Sequence, residues 1–183
     1  MRARWVFLPV LGAPLAHAPV LRLNLLPQLA RPIDGGRTVR GRPVFGANKT
    51  WRGAAVMFAG VLGATVALQR RAWYRERLPV ELRDVSPAVT GPLLGAGVVL
   101  GELPNSFLKR QLDIAPGEQR GSLAGFAISL FDQADFVLAT WLLLRPVFKM
   151  SAGDALDAAV VVTAVHLPLN VLGYVVGVRT SPI

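Results

Sequence analysis

The sequence contains no cysteine, so disulfides and thiolate metal sites are excluded and the redox compartment is left unconstrained. Histidine is almost as scarce: His17 and His166 alone cannot assemble a zinc site of the usual kind. Negative charge is also short, with eleven acidic residues against twenty basic ones and a formal net charge of +9. That balance invites a nucleic-acid partner, yet the basic residues lie beside apolar runs without interleaved aromatics on a soluble module. Anionic lipid headgroups and nucleotide phosphates account for them better, and no nucleic-acid partner is expected.

Charge is nearly absent from several long stretches. Apolar runs recur at Trp5–Leu21, Ala54–Leu68, Ala88–Leu103, Phe136–Leu144 and Ala155–Val178, and the segments between them hold nearly all the ionisable groups. A bilayer core needs about 20 apolar helical residues. The pattern predicts an all-α, polytopic membrane protein with about five transmembrane helices, forming one domain over 1–183. Its polar connections fall at about 22–52, 69–87, 105–133 and 145–154. The alternative, a soluble helical domain with buried central helices, fits poorly because the last run carries no charge between Asp157 and Arg179. At the N-terminus, Arg2, Arg4 and Ala16-His17-Ala18 imitate a secretory signal with its cleavage site. Pro9, Pro14 and Pro19 do not suit a signal h-region, so a retained first span is expected.

Several runs are shorter than a bilayer requires, and acids and amides flank them. Such groups are tolerated at that depth only in a protein-lined, hydrated cavity. With an odd number of spans the first and third connections share one face of the membrane, where they can build one site. Basic residues divide too evenly between the two faces to orient the chain. In the second connection, Arg70, Arg71, Arg75 and Arg77 with Glu76, Glu81 and Asp84 predict a short amphipathic helix along the interface, with a solvated charged face.

The first connection holds Pro32-Ile33-Asp34-Gly35-Gly36-Arg37 and then Gly46-Ala47-Asn48-Lys49-Thr50-Trp51-Arg52-Gly53. Glycines admit close backbone approach, and Asn48, Lys49, Thr50 and Arg52 offer the donors a polyphosphate needs, although the Walker spacing is absent. A basic juxtamembrane loop that only touches headgroups would look similar. At the end of the third run, helical spacing stacks Glu102, Asn105 or Ser106, and Lys109 on one face, with Arg110 beside them. Pro104 within that stretch frees backbone carbonyls; plain interfacial anchoring is the competing explanation. Asp132 and Asp135, three residues apart, face one direction if helical. Paired carboxylates at a membrane edge call for a cation, and oxygen ligands plus phosphates suit Mg²⁺, unless the pair is only an acidic helix cap. His166, Asn170 and Tyr174 repeat every fourth residue beside Gly173 and Gly177, a pattern expected of an interhelical seam.

In this order the motifs resemble those of the CDP-archaeol synthase family and, more distantly, the phosphatidate cytidylyltransferases. The likeness covers nearly the whole chain: Gly46–Gly53, Gly101 through Ser106 and Lys109-Arg110 to Pro116-Gly117, Asp132–Phe136, and the closing His166, Asn170, Gly173, Tyr174 pattern. It implies a five-helix membrane fold in the cell membrane, a site facing the cytosol, CTP and Mg²⁺ dependence, and transfer of a cytidylyl group to a lipid phosphate. Under that resemblance Asp132 and Asp135, with Glu102, hold the metal. Lys49, Arg52, Lys109 and Arg110 then bind the triphosphate and the lipid phosphate, while Asn48, Thr50, Asn105 and Ser106 supply neutral donors. Two features depart from the pattern: Glu102 stands where an aspartate is expected, and His166-Leu167-Pro168 puts a proline in the last span.

Two other functions fit parts of the sequence. A CTP-dependent, polyprenol-type lipid kinase would use the same nucleotide and metal but transfer the terminal phosphate to an alcohol. A non-catalytic scaffold or transporter would leave the polar connections unexplained.

Overall fold

The computed structural model describes residues 3–115 and 135–175, without the side chains of 166, 167, 169, 170 and 172. The chain is mostly helical. It opens with α1 (Ala3–Val6), a 3-10 turn over Leu8–Leu11 and α2 (Gly12–Arg22), which together form one apolar rod from Arg4 to Arg22. A 3-10 turn at Pro27–Leu29 and a two-residue hairpin, β1 (Thr38–Val39) and β2 (Arg42–Pro43), occupy the first connection. Then come α3 (Trp51–Gln69), α4 (Ala72–Arg75), α5 (Val80–Arg83), α6 (Pro87–Gln111), α7 (Asp135–Leu144) and α8 (Ala152–Val175).

Local chemistry sets the helix starts. The Thr50 hydroxyl accepts from the Gly53 amide at 3.1 Å and caps α3, a contact whose loss typically costs about 1 kcal/mol. Ser86 accepts from Ala88 and Pro87 takes the first turn of α6, where its missing amide donor costs nothing. The helical stripe of Glu102, Asn105, Ser106 and Lys109 is present as its spacing implies: α6 continues through Pro104 to Gln111, so the third connection begins after Gln111 and not at about 105. The single amphipathic helix expected in the second connection is instead two one-turn helices, because Pro79 interrupts the stretch between them.

Small residues decide how the long helices approach one another. A Cβ placed on Gly12 would lie 2.2 Å from the Gly60 carbonyl oxygen and 2.7 Å from Ala64 Cβ, so the α2 and α3 backbones cross in contact there. On α6, Gly91 and Gly95 face Leu62 and Phe58 of α3, while Gly97 and Gly101 face Thr140 and Phe136 of α7. Glycines four residues apart thus serve two partners, as expected where packing rather than hydrophobic expulsion holds helices together. Between these seams, Val10, Val61, Leu94, Val98, Phe136 and Leu144 are buried.

Among the described residues, Arg4–Arg22 and Trp51–Gln69 are long and apolar enough to cross a membrane. Only 17% of the most apolar window of α3 is buried, whereas the core helix of a soluble protein would be mostly enclosed. Leu100, Leu138, Leu142, Leu156 and Val160 also face outward. Water would penalise so much exposed apolar surface; lipid chains would not.

The two ends of the bundle differ. At one, Trp5, Trp73 and Tyr74 stack edge to face, and the Arg77 guanidinium lies over both indoles. Tyr74 donates its hydroxyl to the Trp5 carbonyl, and Gln69 donates to Thr90. The other end gathers the hairpin, the start of α3, the last turns of α6 and the start of α7.

Candidate functional site

Asp34 organises the first connection. Its carboxylate accepts from the amides of Gly36, Phe45 and Gly46, at 2.9, 2.8 and 3.2 Å. Burial alone would raise its pKa, but these backbone donors outweigh burial and hold the carboxyl below its ordinary value. The ends of the loop are closed by Ile33 donating to Lys49 and Trp51 donating to Arg31. The hairpin is fastened to α6, since Arg42 donates to the Gln111 carbonyl and pairs with Asp113, and Gln111 donates to Pro43.

These restraints deliver Lys49 to α6, where its ammonium pairs with Glu102 at 2.5 Å in a partly buried setting. One turn further along α6, Asn105 donates to Asp135 at 3.3 Å, and both residues are buried. The approach is close because Gly101 faces the backbone of Asp135 and Phe136: a Cβ there would sit 2.4 Å from Phe136 Cα. Asp135 also accepts from the Phe136 amide at the start of α7. Gly46, at a φ of +91°, lets the loop pass against Arg110; a Cβ on it would lie 3.3 Å from Arg110 Cδ and 3.5 Å from Asn48 Oδ1.

The residues singled out in the sequence therefore divide. Lys49, Glu102, Asn105 and Asp135 converge, Arg110 and Asn48 flank Gly46, and Ser106 is buried on the same helix. Lys109 follows Glu102 by two turns of α6. Thr50 caps α3 while its hydroxyl proton stays available to donate. Arg52 points one guanidinium nitrogen to Asn24 and to the Leu25 carbonyl, tying the end of α2 to the start of α3. Asp132 lies outside the described residues, as do the side chains of His166 and Asn170; Tyr174 is half-exposed.

Sequence reasoning missed His17. Its Nε2 lies 3.4 Å from where a Gly53 Cβ would be, within electrostatic reach of Glu102, Arg52 and Lys49. No sequence signal brings a lone histidine of the first helix to this cluster. The Arg42 clamp was equally hidden, but Asp34-Gly35-Gly36 is a turn signature that could have been read.

Among the described residues no three acidic, histidine or cysteine side chains gather as a ready-made metal cage. Mg²⁺ does not demand one: it is commonly held by one or two carboxylates together with substrate phosphates and water. The oxygen donors of Glu102 and Asp135 on adjoining helices fit that mode of binding.

A sequence model described as CarS-like CDP-archaeol synthase matches residues 21–183. A CDP-archaeol synthase of Halobacterium salinarum is 38% identical over 159 residues, covering 83% of each chain. One from Thermococcus onnurineus is 32% identical over 180 residues, covering 97% of this chain and 95% of its own. A solved structure of an intramembrane enzyme for archaeal membrane lipid biosynthesis shares 27% identity and a TM-score of 0.63, with 91% of each chain covered.

Proposed function

The chain belongs to the CDP-archaeol synthase family and is a CTP-dependent lipid-phosphate cytidylyltransferase of the membrane; from that premise we propose that transfer occurs where Lys49, Glu102, Asn105 and Asp135 converge. The observation that carries this assignment is the pair of cross-links on one face of α6, Lys49 to Glu102 and Asp135 to Asn105. They bring an ammonium, two carboxylates and an amide together at one end of a helical bundle. Because CTP is cytosolic, that end faces the cytosol, and the bundle spans the membrane with about five helices.

In the reaction an oxygen of the lipid phosphate attacks the α-phosphorus of CTP in line. The new P–O bond forms as the bond from the α-phosphorus to the bridging oxygen breaks, and pyrophosphate leaves. No covalent enzyme intermediate is needed, so catalysis reduces to positioning and charge neutralisation.

Lys49, which follows the Gly46–Asn48 turn, and Arg110, against which Gly46 packs, supply positive charge to the phosphates, with Lys109 and Arg52 as further cations. Asn48, Thr50, Asn105 and Ser106 are neutral donors at its edge. Glu102 and Asp135, with Asp132, would hold Mg²⁺, which supplies charge neutralisation on the phosphates when bound. Lys49 then exchanges its partner, releasing Glu102 as the nucleotide arrives. The resemblance to archaeal enzymes favours an isoprenoid ether lipid, digeranylgeranylglyceryl phosphate, as acceptor over a phosphatidate.

The test is product analysis with the purified protein, CTP, Mg²⁺ and either lipid phosphate. Release of pyrophosphate with a CDP-lipid supports the assignment. Release of CDP identifies a lipid kinase, and absence of both products, with no thermal stabilisation by CTP and Mg²⁺, favours a non-catalytic membrane protein.

A further inference from the structure

A cavity of about 680 Å³ opens on the first connection, on the chain that carries Lys49, and is used by none of the roles above. Its walls include Leu29, Arg31, Pro32, Gly35, Gly36 and Trp51. We infer that this groove is the docking site for the phosphorylated headgroup of the acceptor lipid, with the lipid chains leaving across its leucine-rich rim; the inference rests on the cytidylyltransferase assignment.

The first argument is the rim. Leu23, Leu25, Leu26 and Leu29 are all exposed on the segment leading into the groove, and Trp51 on its wall is 55% exposed. An exposed tryptophan beside exposed leucines is what the boundary between headgroups and acyl chains selects. A nucleotide has no long apolar part to lay on such a rim, whereas a lipid phosphate has.

Charge supplies the second argument. Among the described residues Arg31 has no carboxylate partner, while Lys49 and Arg42 of the same connection are paired with Glu102 and Asp113. One guanidinium matches one phosphate monoester in a bidentate grip. A triphosphate would call for more cations than the groove provides, and these lie on the Lys49 and Arg110 side.

Continuity and room complete the case. The Trp51 amide donates to the Arg31 carbonyl at 3.0 Å and the Ile33 amide to the Lys49 carbonyl at 2.8 Å, so the groove wall and the Lys49 backbone are one hydrogen-bonded unit. Gly35 and Gly36, at φ of +62° and +76°, form a wall where an added Cβ meets nothing within 4 Å. Their amides are already spent on Pro32 and Asp34, so the glycines contribute space and Arg31 contributes the contact.

The experiment compares wild type with Arg31→Gln and Trp51→Phe in detergent micelles, varying lipid phosphate and CTP separately. The expected result is a KM for the lipid phosphate raised about tenfold in Arg31→Gln with the KM for CTP unchanged, the loss of one charge-assisted contact. In parallel, a lipid phosphate with brominated chains should quench tryptophan emission in wild type and quench it less in Trp51→Phe; this reports docking without turnover. Unchanged lipid KM together with equal quenching in folded variants overturns the inference, and so does a parallel rise of both KM values. Docking without cytidylyl transfer in wild type would instead contradict the functional assignment and leave the groove standing.

Discussion

Lys49 and Glu102, separated by 53 residues, form an ion pair that fixes the first connection onto the third long helix. Each charge is about one-quarter to one-third exposed, so the pair is partly desolvated and its members depend on each other. Removing either partner alone strands a charge beside the buried Asn105 and Asp135.

A double-mutant cycle checks that dependence. Lys49→Met and Glu102→Met should each lower thermal stability in detergent, and the double variant should lose less than the sum. A coupling of about 1 kcal/mol or more is expected for groups in direct contact. Additive losses would show that the two side chains do not meet.

Acidification should loosen the first connection. The folded-state pKa of Asp34 is depressed by backbone donors that outweigh its burial, so its stabilising contribution is present above the unfolded value and is lost as pH falls through the folded one. The amides of Phe45 and Gly46, from which it accepts, should be protected from hydrogen exchange at neutral pH, and their protection factors, taken against the intrinsic rate at each pH, should fall below that window. Asp34→Ala should remove the protection at all pH values.

The glycine seams give a prediction with an internal control. Gly12→Leu or Gly97→Leu forces side-chain atoms into a backbone or side chain that an added Cβ would already approach to 2.2 or 2.1 Å, and overpacking of this kind typically costs about 1–3 kcal/mol or more. Gly63 on α3 has open space where a Cβ would go, so Gly63→Ala should be neutral or slightly stabilising. Thermal melting of purified protein compares them. Equal tolerance at the three positions would contradict the crossing geometry.

Much of the helical layout is legible in the sequence because apolar run length reports it directly. The runs at Trp5–Leu21 and Ala54–Leu68 correspond to the rod Arg4–Arg22 and to α3 within a few residues. The stripe from Glu102 to Lys109 is helical as its spacing implies, but hydropathy alone ends the apolar run at Leu103, because it registers polarity at Asn105–Arg110 and not the backbone hydrogen bonding that carries the helix on to Gln111. Glu102, Asn105 and Asp135 could be picked as chemical groups from helical spacing and charge, but not their partners. Which base meets Glu102 depends on the Asp34 turn and the Arg42 clamp, and which acid meets Asn105 depends on the close crossing at Gly101. His17 reaches the cluster only through the packing of α2 on α3 at Gly12 and Gly60, a tertiary fact with no local trace.

The most direct measurement follows label from the α-phosphate of CTP into the lipid product in wild type, Asp135→Asn and Lys49→Met, each normalised to folded protein extracted in detergent. The site assignment predicts pyrophosphate release and labelled CDP-lipid in wild type, with transfer in both variants reduced by about 100-fold or more. Wild-type rates of label transfer in either folded variant would contradict it.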